Sequence, residues 1–183
     1  MLKELTQFEL KYHLKQGSFW AVTFCFIWMA VLMTSQRGSA LLFANSAYVI
    51  TESILFISPN IIFALCVLAS ATLIRDNQYK MEPIIFTTPM DKFQYLASRY
   101  LGIVSASMLI FFIMVVAMIS TLLFLDDSLI GPFNISHYIL SYCIFIIPSI
   151  LLCSSVVFAT AMLSKNTIAI YVAGIVIYVL YIL

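Results

Sequence analysis

Long apolar runs separated by short polar segments make up most of this chain. A helix needs about 20 mainly apolar residues to cross the roughly 30 Å hydrocarbon core of a bilayer, and most of these runs reach that length. The pattern predicts an all-α, polytopic membrane protein with five transmembrane helices in a single transmembrane domain. We place the predicted spans at residues 19–34, 49–74, 100–125, 138–163 and 167–183, with a connecting loop at 75–99.

Residues 1–17 have a different pattern, in which apolar side chains recur every three or four positions. Leu2, Leu5, Phe8 and Tyr12 form one stripe, and polar residues fill most of the other positions. This predicts an amphipathic helix in the membrane interface, with its apolar face down and its lysines near the lipid phosphates. A plain flanking segment with anchoring lysines is the alternative. The residues off the stripe are Lys3, Glu4, Gln7, Lys11 and Lys15.

Two prolines and a row of small residues modify the predicted spans. Pro59 and Pro148 each remove a backbone donor, so we expect a break at the first and a kink at the second. Ser98, Gly102 and Ala106 lie four residues apart and form a ridge that permits close approach of another helix.

Composition agrees with a membrane protein, because 63% of the residues are hydrophobic and 9% are charged, with a mean hydropathy of +1.08. Soluble domains are nearer half apolar and a quarter charged. The formal net charge of +1 gives no reason to expect a nucleic-acid partner. The cysteines lie in apolar runs without metal-ligand spacing, so we interpret them as small buried hydrophobic residues. They are Cys25, Cys66, Cys143 and Cys153.

Sequence motifs for catalysis are missing. The chain has no glycine-rich phosphate loop ending in Gly-Lys-Ser/Thr and no HExxH or GxSxG motif. We therefore expect neither an enzyme nor a cofactor in this chain. Glu52 lies at the start of the second span, and the sequence leaves three alternatives open for it. Its carboxylate lies at the outer rim of the membrane, faces a substrate cavity, or pairs with Arg37 in the preceding loop.

The basic residues predict the orientation of the chain. Of nine Lys and Arg residues, three lie in residues 1–17, four in 75–99 and one at Lys165, which leaves Arg37 alone on the opposite side. Basic residues favour the cytoplasmic side, so we expect a cytoplasmic N-terminus, a cytoplasmic 75–99 loop and a plasma (inner) membrane location. The apolar C-terminal end indicates part of a longer protein, in which a sixth span would follow.

The longest polar interruption is the segment 75–99, RDNQYKMEPIIFTTPMDKFQYLASR. Within it, Ile84-Ile85-Phe86 is bracketed by Pro83 and Pro89, which predicts a short amphipathic helix held at the membrane surface. We interpret this segment as the part of the protein that a soluble partner grips.

This segment resembles the first cytoplasmic loop of ABC-2 type transporter permeases. In that family an arginine ends the second span, a short coupling helix follows, and a Thr-Pro pair precedes the third span. Arg75, Ile84-Ile85-Phe86 and Thr88-Pro89 match these features. The family often has a glutamate three residues after the arginine, where this chain has Gln78, so an ionic contact at that position is not carried over.

The resemblance implies a transmembrane subunit of an ABC transporter, with an interfacial helix and a six-helix domain of which five spans are present. Such a subunit couples ATP hydrolysis by a separate ATP-binding cassette subunit, which holds the ATP and magnesium, to substrate movement, with export as the expected direction. The other expected partners are the lipid bilayer and a second permease copy or homologous half. The expected contacts with the ATP-binding subunit are Lys80, Met81, Glu82, Ile84, Ile85, Phe86 and Thr87.

Other interpretations remain beside this one. The chain could be a membrane anchor or assembly protein without a transport path, an intramembrane enzyme that depends on Glu52, or a channel. A narrower resemblance, carried by residues 45–50 together with Arg75-Asp76 and the Thr-Thr-Pro run, is to large permeases fused to an M1 aminopeptidase-like domain. Such a domain would lie beyond residue 183.

Overall fold

The computed structural model describes residues 2–37, 43–78, 92–164 and 166–183. Within these ranges the secondary structure is helical throughout and contains no strand, which confirms the all-α fold class. The helices are α1 (Leu2–Lys15), α2 (Gly17–Arg37), α3 (Ala47–Ile57), α4 (Ile61–Gln78), α5 (Lys92–Thr121), α6 (Ile135–Ser141), α7 (Ile147–Ser164) and α8 (Thr167–Ile182).

Four helical stretches in the described part of the chain are long and apolar enough to cross a membrane. Two of them each combine two consecutive helices into one continuous apolar stretch, α3 with α4 and α6 with α7. The fifth predicted span, α8, is also apolar but shorter, with its apolar part at Thr167–Tyr181. The four long stretches are Gly17–Gln36, Ala47–Thr72, Phe93–Phe124 and Ile135–Ser164.

The helices extend beyond the predicted limits of the second and third spans. The second span was predicted to end at residue 74, and α4 continues to Gln78; the third was predicted to begin at residue 100, and α5 begins at Lys92. Hydropathy marks the part of a helix that lies in lipid, whereas the backbone hydrogen bonds that define the helix form equally well in water beyond it.

Both proline-containing spans are interrupted where the prolines predict it. Ser58–Asn60 forms a 3-10 turn around Pro59, between α3 and α4. A π-helical turn, Tyr142–Ile146, precedes Pro148, and the amide of Ile147 donates to the carbonyl of Tyr142. Because a proline ring crowds the carbonyl four residues earlier and donates no hydrogen bond, the wider turn accommodates it.

The second and third long spans form the centre of the bundle. Most of their residues are buried, whereas fewer than a third of the residues are buried in the first and fourth spans. The rings of Phe26 on α2 and Phe111 on α5 pack edge to face, with their centroids 4.7 Å apart. On another side of α5, the hydroxyl of Tyr142 donates to the carbonyl of Met108 at 2.8 Å, which joins α5 to the fourth span.

Tyrosines of α8 attach this helix to the second span. The hydroxyls of Tyr171 and Ser70 lie 3.1 Å apart, and those of Tyr181 and Ser58 lie 3.2 Å apart. Because the residue numbers rise along one helix as they fall along the other, α8 runs antiparallel to α4. Hydrogen bonds between hydroxyls are a common way to join helices whose surroundings are apolar.

The outward faces of the bundle are apolar. Leu163 is 87% exposed, Leu152 is 70% exposed and Leu180 is 68% exposed. Exposing large apolar side chains to water costs about 25 cal/mol per Å², so a surface of this kind suits lipid. Together with the four long apolar helices, this surface identifies the chain as a membrane protein.

Candidate functional site at the α1–α5 junction

The predicted contact residues from Lys80 to Thr87 lie outside the described residues, and so do Pro83, Thr88 and Pro89. The structure describes the two helices that flank this segment. The helix before it, α4, ends at Gln78, and the helix after it, α5, begins at Lys92. Because the chain continues from this segment into α4 on one side and α5 on the other, a displacement of residues 79–91 acts directly on both of these helices.

Arg99, two turns into α5, forms a buried ion pair with Glu9 of α1. Its Nε lies 3.6 Å from Oε1 of Glu9, and the two side chains are 4% and 8% exposed. A lone charge costs several kcal/mol to bury, and an opposite charge close by offsets much of that cost. The pair therefore holds the first helix of the chain against the start of the third span.

The guanidinium of Arg99 is also positioned by its own helix. Its Nη2 donates to the hydroxyl of Tyr95 at 2.7 Å, and its central carbon lies 4.9 Å from the centre of the Tyr95 ring. An aromatic ring within about 6 Å of a guanidinium attracts it electrostatically. Arg99 is thus fixed from two sides, by Tyr95 one turn earlier on α5 and by Glu9 on α1.

Gly102 allows α1 to approach α5 closely. A Cβ atom at this position would lie 2.6 Å from Cβ of Glu9, which is closer than real side chains come. Ser98 and Ala106, one turn to either side, are also buried. The ridge of small residues predicted from the sequence is therefore a helix-packing surface, and Gly102 is the point at which it meets α1.

The face of α1 that packs against α5 is polar. His13, one turn after Glu9, is fully buried, and Leu10 and Leu14 pack against the core beside it. Phe8, a member of the predicted apolar stripe, is 61% exposed and does not pack against α5. The predicted polar positions Lys3, Glu4, Gln7, Lys11 and Lys15 are all exposed.

A short turn connects α1 firmly to α2. The indole nitrogen of Trp20 donates to the carbonyl of Leu14 at 2.9 Å, and the amide of Gln16 donates to the carbonyl of His13 at 3.0 Å. Phe19, at the start of α2, is fully buried. Through these contacts α1 is attached to α2 as well as to α5.

Glu52 and Arg37, the other predicted site residues, lie near the opposite end of the bundle. Arg37 is the last residue of α2, and Glu52 is a half-buried residue in the second turn of α3. The neighbouring hydroxyl of Thr51 lies 3.0 Å from that of Ser141, which joins α3 to α6. Glu52 is close to the end of its span, where a carboxylate costs less than at the bilayer centre.

At that same end, the buried side chain of Asn45 connects two loops. Its amide nitrogen donates to the carbonyl of Gly131 at 2.6 Å, and its oxygen accepts from the amide of Gly131 at 2.8 Å. The amide of Ala44 donates to the carbonyl of Leu129 at 2.9 Å. The loop before α3 and the loop before α6 are thereby hydrogen-bonded to each other.

An open cleft of about 350 Å³ lies between the ends of α2 and α5 on this side. Its hydroxyl groups donate to carbonyls of their own helices, as Ser35 does to Leu32 and Thr121 does to Ala117. The lining residues are Val31, Ser35, Ser120, Thr121, Phe124 and Leu125.

Metal ligands do not converge in the described part of the chain, where no group of three or more His, Cys, Asp or Glu side chains could hold an ion.

The chain matches no family model, no curated protein and no solved structure. The resemblance to ABC-2 type permeases therefore rests on the loop residues themselves.

Sequence reasoning missed the ion pair between Glu9 and Arg99. Glu9 was not among the polar residues singled out on α1, and Arg99 was counted among the basic residues of the 75–99 loop. One signal was present, because Gly102 and Ser98 flank Arg99 on the ridge of small residues. An arginine buried beside such a ridge is stabilised by an acidic partner on the helix that packs there.

Proposed function

We propose that this chain is the transmembrane subunit of an ABC transporter of the ABC-2 type, which couples ATP hydrolysis by a separate subunit to substrate movement, in the direction of export. The observation that carries the proposal is the position of the permease-like segment 79–91 immediately before the part of α5 that holds α1. Two turns into α5, Arg99 and Gly102 contact Glu9.

The geometry supports mechanical coupling in the following way. An ATP-binding subunit that grips Ile84, Ile85 and Phe86 would move with each cycle of nucleotide-driven closure. The displaced segment pulls on α4 and α5, and α1 and α2 follow because the Glu9–Arg99 pair and Trp20 connect them. Packed helices transmit such motions as rigid bodies.

We also propose five crossings, with α8 as the fifth. Its hydrogen bonds from Tyr171 to Ser70 and from Tyr181 to Ser58 set it beside much of the second span, whose long apolar stretch ends at Thr72. With the N-terminus and residues 79–91 on the cytoplasmic side of the plasma (inner) membrane, residue 183 lies on the outer side. A second copy or homologous half completes the transport path.

Reconstitution with any ATP-binding cassette subunit that co-purifies with this chain tests the proposal. The double variant Ile85→Asp/Phe86→Asp should insert into the membrane normally. It should stimulate ATP hydrolysis by that subunit at least tenfold less than the wild-type chain does. The matched control is Phe124→Asp, in the 3-10 turn just beyond the C-terminal end of α5, where the side chain is 89% exposed. The control should retain that stimulation.

Two outcomes would contradict the proposal. Full stimulation of ATP hydrolysis by the double variant would show that these side chains do not contact the ATPase. Failure of the wild-type chain to capture or stimulate any ATP-binding subunit would instead favour a membrane anchor or assembly protein.

A further inference from the structure

The face of α1 that points away from α5 combines basic and aromatic side chains. Phe8, Lys11 and Lys15 follow one another at spacings of three and four residues, so they lie together on the helix surface. All three are exposed, and so is Lys3. This face also carries one acidic residue, the exposed Glu4. The second acid of α1, Glu9, faces inward and is paired with Arg99.

Two independent contacts locate α1 relative to the long apolar helices. Its last turn accepts a hydrogen bond from Trp20, in the first turn of the apolar helix α2. Its middle contacts Arg99 and Gly102, at the start of the predicted third span. Because the apolar stretch of α2 begins at Gly17, directly after α1, this arrangement places α1 level with the lipid headgroups.

From this placement we infer that the exposed face of α1 is a binding surface for anionic phospholipids. Lys11 and Lys15 bind headgroup phosphates, and Phe8 inserts below them among the upper parts of the acyl chains. A basic face at headgroup depth attracts negatively charged lipids, and an aromatic wedge adds apolar burial.

This surface does not depend on the proposed transport function. It requires only that the chain is embedded in a membrane and that α1 packs against α5. A membrane anchor would carry the same lipid-binding surface, so the two proposals can fail separately.

Lipid enrichment around the purified full chain tests the inference. The chain is equilibrated in mixed micelles of phosphatidylglycerol and phosphatidylcholine, and the retained lipids are quantified by mass spectrometry. The wild-type chain should enrich phosphatidylglycerol, and Lys11→Gln/Lys15→Gln should lower that enrichment by about fivefold for each lysine removed at low salt. The charge-matched control Lys92→Gln/Lys165→Gln should retain it.

A fluorescence measurement locates the surface without depending on lipid selectivity. Trp28→Phe leaves Trp20, whose hydrogen bond to Leu14 is kept, as the remaining native tryptophan, and adding Phe8→Trp gives the fluorescence of a tryptophan at residue 8 by difference. Lipids brominated near the upper acyl chain should quench this tryptophan strongly, and aqueous iodide should quench it weakly. Strong iodide quenching with no lipid quenching would show that the face is in water.

Two further results would overturn the inference. One is equal phosphatidylglycerol enrichment by the wild-type chain and by Lys11→Gln/Lys15→Gln. The other is loss of ATP-binding-subunit capture in that variant with unchanged lipid retention, which would assign this face to a protein partner.

Discussion

Glu9 of α1 and Arg99 of α5 form a buried ion pair, with Oε1 of the glutamate 3.6 Å from Nε of the arginine. The pair joins the first helix of the chain to the helix that follows residues 79–91. It is also packed beside Gly102, the residue that lets the two helices approach. Both the proposed coupling and the proposed lipid surface depend on this junction.

Removing one member of the pair should be more damaging than removing both. Arg99→Met or Glu9→Met alone leaves a buried charge without its partner, at an expected cost of about 3–5 kcal/mol. The double variant replaces the pair with apolar groups of similar size and should recover most of that loss. Thermal unfolding in detergent measures the effect, with Lys11→Met as an exposed control on the same helix. If the double variant lost as much stability as the two single variants lose together, that result would contradict the pairing.

Gly102→Ala should separate α1 from α5. The added methyl group would overlap Cβ of Glu9, and overpacking of this kind costs about 1–3 kcal/mol. Gly17→Ala is the matched control, because a Cβ atom there meets nothing within 4 Å. Limited proteolysis of α1 reports the separation: the Gly102 variant should be cleaved faster than the wild-type chain and the Gly17 variant should not. Equal cleavage of all three would show that the helices do not pack closely at Gly102.

Asn45→Ala should release the loop before α6 from the loop before α3. It removes both hydrogen bonds to the backbone of Gly131 and leaves those groups without their partner, at about 1–3 kcal/mol. Hydrogen exchange of the Gly131 amide should accelerate by tenfold or more. Ser128→Ala, an exposed change in the same loop, serves as the control. Unchanged protection of Gly131 in the Asn45 variant would show that other contacts hold the loops together.

The hydrogen bond between Tyr171 and Ser70 should contribute measurably to the docking of α8. Tyr171→Phe and Ser70→Ala each remove one of the two hydroxyls, and a double-mutant cycle isolates their coupling. Hydrogen bonds between membrane helices average about 0.6 kcal/mol and reach about 1.7 kcal/mol, so a coupling energy in that range is expected. Additive effects of the two substitutions would exclude this contact as an attachment of α8.

Local chemistry accounts for the features that the sequence predicted well. A proline removes a backbone donor wherever it lies, so the interruptions at Pro59 and before Pro148 follow from single residues. Apolar length is likewise local, and four of the five predicted spans have the length and composition of a crossing. The ridge around Gly102 predicted close helix packing but could not show which helix would pack there.

The candidate site was harder to predict because it joins distant parts of the chain. The apolar stripe through Phe8 predicted the face of α1 that turns towards lipid. It said nothing about the face that packs against α5, and that face carries Glu9 and His13. A helix buries a charge when another helix brings the opposite charge to it, and periodicity within α1 contains no information about Arg99. The ends of α4 and α5 were missed for a related reason, since hydropathy follows lipid contact and not the backbone.

The sidedness of residues 79–91 gives the most direct test of the transporter account. In a cysteine-free background, Lys80→Cys and Ser128→Cys are labelled with a membrane-impermeant maleimide, in intact cells and after permeabilisation. The account predicts that Ser128→Cys is labelled in intact cells and that Lys80→Cys is labelled only after permeabilisation. Labelling of Lys80→Cys in intact cells would put the segment outside the cell, where no ATP-binding subunit could reach it, and would contradict the account.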